Sequence, residues 1–246
     1  MVKIRQLASH VLSSLSLSYT SNAVLNLSNV QKVVNHWNKV IPYVKPFYAV
    51  KSHPNPMLLA LLHSHNFGFD CASREEIRLA KEIPNSDIIF GNPTKSYDDI
   101  AFATKECVQE YVVDSIEEVQ KIHNVNPSAN YIIRTLAYEK DSAIRFNRKF
   151  GATAVEAREM LNYMWANRLF FSGYSYHVGS KCKSMVSHKM TIDAILREQQ
   201  PMFERAEKYL SQPKLVRDIV DAGTEKARIT ARATMHDVRA AMGLNY

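Results

Sequence analysis

A single lysine closes the apolar segment PFYAVK, which ends at Lys51. The segment predicts a short strand, and in a parallel β/α array the carboxyl ends of the strands carry the active site. A lysine at such an end is partly withdrawn from water, which favours the neutral amine that condenses with an aldehyde to form an imine. A structural lysine, whose stem packs on the sheet while its ammonium reaches water, fits the same pattern. The residues alone leave both interpretations open.

Charged side chains also follow two other predicted strands. Asp70 ends the apolar segment FGFD, and Arg134 follows the apolar residues 131–133. Ser73 already has the position of the helix cap, so capping does not require Asp70. Opposite charges at neighbouring strand ends predict either an ion pair beneath a ligand or a salt bridge at the rim of the sheet.

The turn YHVGS, residues 176–180, combines an aromatic ring, a glycine and a hydroxyl. His177 is suited to stack on a flat ligand. Ser180 and nearby backbone N–H groups are suited to bind phosphate oxygens. Taken alone, a histidine in a turn is equally compatible with a structural role.

Strand-like and helix-like segments alternate between about residues 46 and 180, and this order predicts a parallel α/β array. Two Ser-x-x-Glu sequences, at Ser73 and Ser115, predict capping boxes at helix starts. The six predicted strands are centred on residues 47–50, 67–69, 88–90, 111–113, 131–133 and 170–176.

After about residue 190 the pattern becomes helical, with predicted breaks at Gln212–Pro213, Gly223 and Gly243. We therefore predict two domains, a barrel domain over residues 1–186 and a helical segment over 187–246.

The composition is that of a globular protein, because 46% of the 246 residues are hydrophobic and 22% are charged. The net charge of +7 is spread without a basic run, so we expect no nucleic-acid partner. No apolar run approaches the ~18 residues of a membrane span. Three isolated cysteines, with no CxxC pair, indicate neither a metal site nor a disulfide framework. With no secretory leader expected, we predict a cytoplasmic location.

Six motifs together resemble the ornithine decarboxylase family, the fold-type III pyridoxal-phosphate decarboxylases, over about residues 46–182. In family order they read PFYAVKSHPNPMLLALL, FGFDCASREEI, IIFGNPTKS, VVDSIEEVQKI, RKFGA and YHVGS. The resemblance implies an α/β fold, an incomplete (β/α)8 TIM-type barrel of the alanine-racemase kind followed by a helical tail. It also implies pyridoxal 5'-phosphate as cofactor and decarboxylation of a basic amino acid, ornithine to putrescine, in polyamine biosynthesis.

By the same resemblance Lys51 is the catalytic lysine that forms the imine. His177 stacks on the pyridine ring, Ser180 contacts the phosphate, and Asp70 and Arg134 give polar support around the cofactor. The family further implies a homodimer and a possible antizyme-like regulator.

The sequence also departs from the family. Lys181 stands where relatives have glycine or another small residue. The glycine-rich phosphate loop, the glutamate that pairs with the pyridine nitrogen and the Cys-Asp substrate segment are not found. We therefore expect a truncated barrel that binds the cofactor weakly, is marginally stable and gives no measurable turnover.

Two alternatives remain, a non-catalytic homologue of the antizyme-inhibitor type and a fusion fragment. Retention of Lys51 together with His177 and Ser180 argues against a designed loss of the cofactor. Residues 192–244 resemble the C-terminal helices of bacterial-type tryptophanyl-tRNA synthetases, although that enzyme's nucleotide-binding signatures are missing. The near-balanced charge of this tail gives little support to RNA binding.

Overall fold

One parallel sheet organises the protein, and the computed structural model describes residues 25–243. Its six strands lie in sequence order and every neighbouring pair is parallel. This arrangement confirms the predicted α/β array and each predicted strand. The strands are β1 (Phe47–Ala49), β2 (Gly68–Cys71), β3 (Ile88–Phe90), β4 (Glu110–Val113), β5 (Asn130–Thr135) and β6 (Phe170–Tyr176).

Helices precede, connect and follow the strands. A short 3-10 helix, Val50–Ser52, directly follows β1. The α-helices are α1 (Leu27–Val40), α2 (Pro56–His63), α3 (Arg74–Lys81), α4 (Tyr97–Lys105), α5 (Ile116–Val125), α6 (Ala154–Ala166), α7 (Met185–Leu210) and α8 (Pro213–Ala241). In the part of the chain that is described, none of the helices has the length and apolar character needed to cross a membrane.

The helix starts follow the predicted serines, but the predicted reciprocal boxes are incomplete. Ser73 and Ser115 each accept a hydrogen bond from the backbone N–H three residues on, at 3.3 Å. The Glu76 carboxylate accepts from Ala72 N–H instead of returning to Ser73. The complete box lies at Thr153, whose partner Glu156 closes it in both directions. This box was not predicted from the sequence.

The two faces of the sheet differ in character. Alternate strand residues pack under the helices and form the main core, which includes Phe69, Phe90, Tyr111, Tyr131 and Ile133. Side chains of registered partners in parallel strands project to the same face, so the opposite face can be read from the register. We call it the polar face; its members include Ala49, Asp70, Ile89, Glu110, Asn130, Arg134 and Ser175.

Two compact units are distinguished. Within the described residues, the first comprises 25–136 together with Asn147–Tyr176, and the second comprises Ala137–Phe146 together with 177–243. The predicted boundary at residues 186 and 187 falls inside α7, and the division into domains 1–186 and 187–246 stays a prediction.

The predicted helix stop at Gly223 is wrong. Gly223 lies inside α8, which continues to Ala241. A glycine inside a helix lowers stability by only about 1 kcal/mol relative to alanine, so good helix formers on both sides carry the helix across it. The predicted break at Gln212–Pro213 is confirmed, since α7 ends at Leu210 and α8 begins at Pro213.

Candidate active site

Lys51 lies in the 3-10 turn that follows β1. The Ser52 hydroxyl lies 2.8 Å from the Ala49 carbonyl oxygen and stabilises this turn. Val50 takes the buried position, and Lys51 is exposed. The expected withdrawal of Lys51 from water is therefore wrong for this structure, because the turn places the residue before it, rather than Lys51 itself, in the core. The amine is left accessible to a ligand.

Asp70 lies on the polar face of β2, registered with Ala49 of β1. Burial raises the pKa of the Asp70 carboxyl, and the nearby charges of Lys51 and Arg134 oppose that rise. Glu76 acts in the same direction as burial. Asp70 and Arg134 lie on β2 and β5, which are not neighbours in the sheet, so the predicted placement at neighbouring strand ends is wrong. The structure nevertheless brings both Lys51 and Arg134 within electrostatic reach of Asp70 in the first unit.

Gly91, directly after β3, makes room for the Asp70 carboxylate. A Cβ at Gly91 would lie 1.9 Å from Asp70 Oδ1, far inside contact distance. The Gly91 N–H donates to the Cys71 carbonyl oxygen at 2.8 Å, so its backbone is held against β2. A side chain at Gly91 would therefore require the Asp70 carboxylate to move.

A loop after β5 supports Arg134. The guanidinium lies 4.9 Å from the centre of the Phe150 ring, within the range of a cation–π contact. The next residue, Gly151, donates its N–H to Asp114 Oδ2 at 2.9 Å. The end of β4, where Asp114 follows the strand, therefore holds the loop that stacks on Arg134.

Ser175 of β6 is registered with Arg134 and shares its face of the sheet. The Ser175 Oγ atom is buried and has no hydrogen-bond partner among the residues that the structure describes. Buried hydroxyls are nearly always paired in native proteins, so an unpaired one calls for a physical explanation.

Residues 177–180 of the YHVGS turn belong to the second unit, and their backbone makes hydrogen bonds within that unit. Gly179 N–H donates to His177 Nδ1 at 2.9 Å, and Ser180 N–H donates to the Ile144 carbonyl oxygen at 2.9 Å. These two backbone N–H groups already have partners within the chain, and phosphate binding by Ser180 and nearby backbone N–H groups stays a prediction. The Ser180 hydroxyl remains suited to that role. The Phe146 ring meets His177 edge-on, with centroids 4.8 Å apart.

Lys181 adopts a left-handed backbone with φ of 54°. Glycine takes this conformation without strain, whereas other residues pay about 1–2 kcal/mol. A glycine at this position, one of the residues that the family resemblance implies here, would adopt the same backbone without that strain. Gly179, at φ of 87°, must also lack a side chain, because a Cβ there would lie 2.3 Å from the Ile144 carbonyl oxygen.

The five predicted site residues fall into two sets. Lys51, Asp70 and Arg134 lie in the first unit, and His177 and Ser180 lie in the second. Three further residues of this region, Gly91, Phe150 and Ser175, were not predicted from the sequence as site residues. Alternation along β6 could have placed Ser175 on one face with Gly173, whereas no local spacing links Phe150 to Arg134.

Comparison with known proteins gives a consistent family signal. Residues 27–212 match the model "Pyridoxal-dependent decarboxylase, pyridoxal binding domain". The match thus includes α7 and ends where α8 begins. The resemblance of residues 192–244 to a tRNA synthetase stays a prediction.

Individual relatives and structures agree with that match. The chain is 34% identical over 213 residues to a chloroplastic ornithine decarboxylase of Nicotiana glauca, covering 85% of this chain and 48% of that protein. The arginine decarboxylase of Paramecium bursaria Chlorella virus bound to agmatine superposes with a TM-score of 0.74 at 28% identity, covering 79% and 53% of the two chains. The ornithine decarboxylase of Entamoeba histolytica gives 0.71 at 26%, covering 83% and 58%.

The similarity is partial in length. The chain spans less than half the length of the curated relatives it matches, from 23% to 48%. What those whole proteins do therefore reaches this chain as a proposal.

Proposed function

Because this chain belongs to the pyridoxal-dependent decarboxylase family through a pyridoxal-binding domain whose cofactor is pyridoxal phosphate, we propose that it takes part in the decarboxylation of a small basic amino acid, with ornithine as the first candidate. The observation that supports this most directly is the accessible Lys51 amine after β1, whose charge, like that of Arg134, acts on the Asp70 carboxyl. Ornithine is favoured because relatives from plants, yeasts and mammals carry that name. Arginine remains the second candidate, from a structural relative.

The residues of the first unit fit the cofactor. The Lys51 amine is accessible to an aldehyde, and the unpaired Ser175 Oγ beside Arg134 offers a hydrogen bond to a polar oxygen. The space at Gly91 keeps the Asp70 carboxylate on the same face. When bound, pyridoxal phosphate supplies the electron sink for the pair left by departing CO₂.

The protein's own side chains are proposed to bind and orient the cofactor. Lys51 is proposed to hold the cofactor through its amine. Burial raises the pKa of Asp70 and the charges of Lys51 and Arg134 oppose that rise, so the Asp70 carboxyl is proposed to hold a proton or a negative charge near the Lys51 amine. Arg134, steadied by Phe150, contributes a fixed positive charge on the polar face.

Further roles follow from the family resemblance and are proposed with it. His177 would stack on the pyridine ring, and Ser180 would bind the phosphate through its hydroxyl. A homodimer and an antizyme-like regulator are proposed as partners. A cytoplasmic location is supported by free thiols at all three cysteines, Cys71, Cys107 and Cys182, as is usual for a reducing compartment.

Borohydride reduction tests the cofactor site. The full chain is incubated with pyridoxal phosphate, reduced and mapped by peptide mass spectrometry. The pyridoxyl group is expected on Lys51 and is expected to be lost in Lys51→Arg, which keeps the charge. Label spread evenly over exposed lysines, and unchanged in Lys51→Arg, would exclude the proposed role of Lys51.

A non-catalytic homologue is the second candidate. The departure at Lys181 favours it, because a residue with a left-handed backbone and a long side chain directly follows Ser180, the proposed phosphate contact. A CO₂-release assay with ornithine, arginine and lysine separates the two. Release from ornithine above the Lys51→Arg background supports the enzyme. Labelling of Lys51 without release from any of the three supports the non-catalytic homologue.

A further inference from the structure

The Ser175 hydroxyl makes no hydrogen bond to the part of the folded chain that the structure describes. Its Oγ is buried and unpaired within residues 25–243. Burying a hydroxyl without a partner is unfavourable, whereas an alanine in its place would leave nothing unsatisfied. The serine is therefore not explained by the stability of the sheet.

The surroundings of Ser175 limit what can meet its hydroxyl. The strand backbone is fixed, since Ser175 is registered with Arg134 and its carbonyl oxygen accepts from the Thr135 hydroxyl at 3.4 Å. The Arg134 guanidinium carries donors only. A ligand atom that lies beside both side chains is therefore an acceptor, and an anionic or strongly polar oxygen suits the local positive charge.

We propose that Ser175 is a cofactor-binding residue, whose hydroxyl donates a hydrogen bond to an acceptor oxygen of pyridoxal phosphate. This inference rests on the proposed function, because it requires the cofactor to lie on the polar face. It adds a contact on β6 that is separate from Ser180 in the following turn. It also gives the unpaired Oγ its missing partner in the loaded protein.

The test compares Ser175→Ala with Ser172→Ala in the full chain. Ser172 lies on the same strand but is exposed, at the register shift that separates Phe171 from Gly173. Pyridoxal phosphate is titrated by absorbance and fluorescence, and the melting temperature is measured without cofactor. Ser175→Ala is expected to bind about 5- to 30-fold more weakly, the effect of one lost hydrogen bond. Its cofactor-free melting temperature is expected to be unchanged or higher, and Ser172→Ala is expected to match wild type in binding.

The affinity for pyridoxal phosphate and the cofactor-free melting temperature together distinguish a role of Ser175 in cofactor binding from a role in stability. Weaker binding with an unchanged or higher melting temperature supports the proposal. Equal binding by Ser175→Ala and wild type overturns it, as does a parallel loss of binding and melting temperature, which would mark a structural role.

A second arm repeats the titration with pyridoxal, which lacks the phosphate. A loss seen with both ligands assigns the acceptor to the ring, and a loss seen with pyridoxal phosphate alone assigns it to the phosphate; either supports the proposal. Wild type that binds neither ligand removes the proposed function as well. If wild type is labelled at Lys51 and Ser175→Ala binds pyridoxal phosphate as tightly as wild type does, this inference fails while the proposed function stands.

Discussion

Gly91→Ala is expected to disturb Asp70 more than it disturbs the fold. A Cβ at Gly91 would lie 1.9 Å from Asp70 Oδ1 and 3.0 Å from its Cγ. An ordinary contact needs roughly 3.4 Å, so the carboxylate must retreat by about 1.5 Å. The Gly91 backbone cannot retreat as easily, because its N–H is bonded to Cys71 in the sheet.

The stability loss is expected to be modest. The clashing atom ends a short side chain, and rotation about its bonds relieves most of the overlap. Overpacking of this kind lowers the free energy of unfolding by about 1–3 kcal/mol. The effect on cofactor binding is expected to be larger, at least about 10-fold, because a displacement near 1 Å in a preorganised site can cost 10²-fold in activity.

Gly223→Ala is the matched control. Gly223 lies in α8 with no atom within 4 Å of an added Cβ. The same substitution there is expected to raise the free energy of unfolding by about 0.5–1 kcal/mol through helix propensity. Urea unfolding followed by circular dichroism measures both variants, and titration with pyridoxal phosphate measures binding.

A double-variant cycle identifies the clashing partner. Combined with Asp70→Ala, the loss caused by Gly91→Ala is expected to disappear, because the overlapping atoms are gone. Combined with Asp70→Asn, which keeps the side-chain volume, the loss is expected to persist. Equal losses in all three backgrounds would refute the assignment of the clash to Asp70. Wild-type cofactor binding by Gly91→Ala would refute the role given to the carboxylate position.

Three further outcomes are expected. Burial lowers the pKa of Lys95 to about 8 from 10.5, so between these pH values the unfolded chain holds more protons than the folded chain. In urea titrations the free energy of unfolding of wild type should therefore rise relative to that of Lys95→Met as the pH goes from 8 to 10. A difference between the two proteins that stays constant with pH contradicts this. Maleimide should label exposed Cys107 in the native chain but not Cys71, which is fully buried with a raised pKa; rapid native labelling of Cys71 would show that the core opens. Thr153→Ala should lower the free energy of unfolding by about 1 kcal/mol by removing the complete capping box, and an unchanged urea midpoint would count against it.

The strands could be predicted from sequence because each is a short apolar run between polar helices. The charged residues Asp70 and Arg134 could also be predicted as site residues, because both lie near the carboxyl ends of their strands. The exposure of Lys51 could not be predicted, because the 3-10 turn that buries Val50 has no periodicity of its own. The approach of Gly91 to Asp70 joins neighbouring strands through an exact backbone position, which spacing along the chain does not encode.

The polar face carries several local arrangements that folding alone does not favour. Asp70 is partly buried although burial disfavours its charged form and raises its pKa. Gly91 has no side chain where one would overlap the Asp70 carboxylate, and Ser175 buries a hydroxyl without a hydrogen-bond partner. The opposite face supplies a continuous apolar core under the helices, which can offset these losses. Places where local rules are broken beside a well-packed core are where binding sites are expected. Because these three residues share the face that Arg134 occupies, a single ligand with acceptor oxygens on that face accounts for them together.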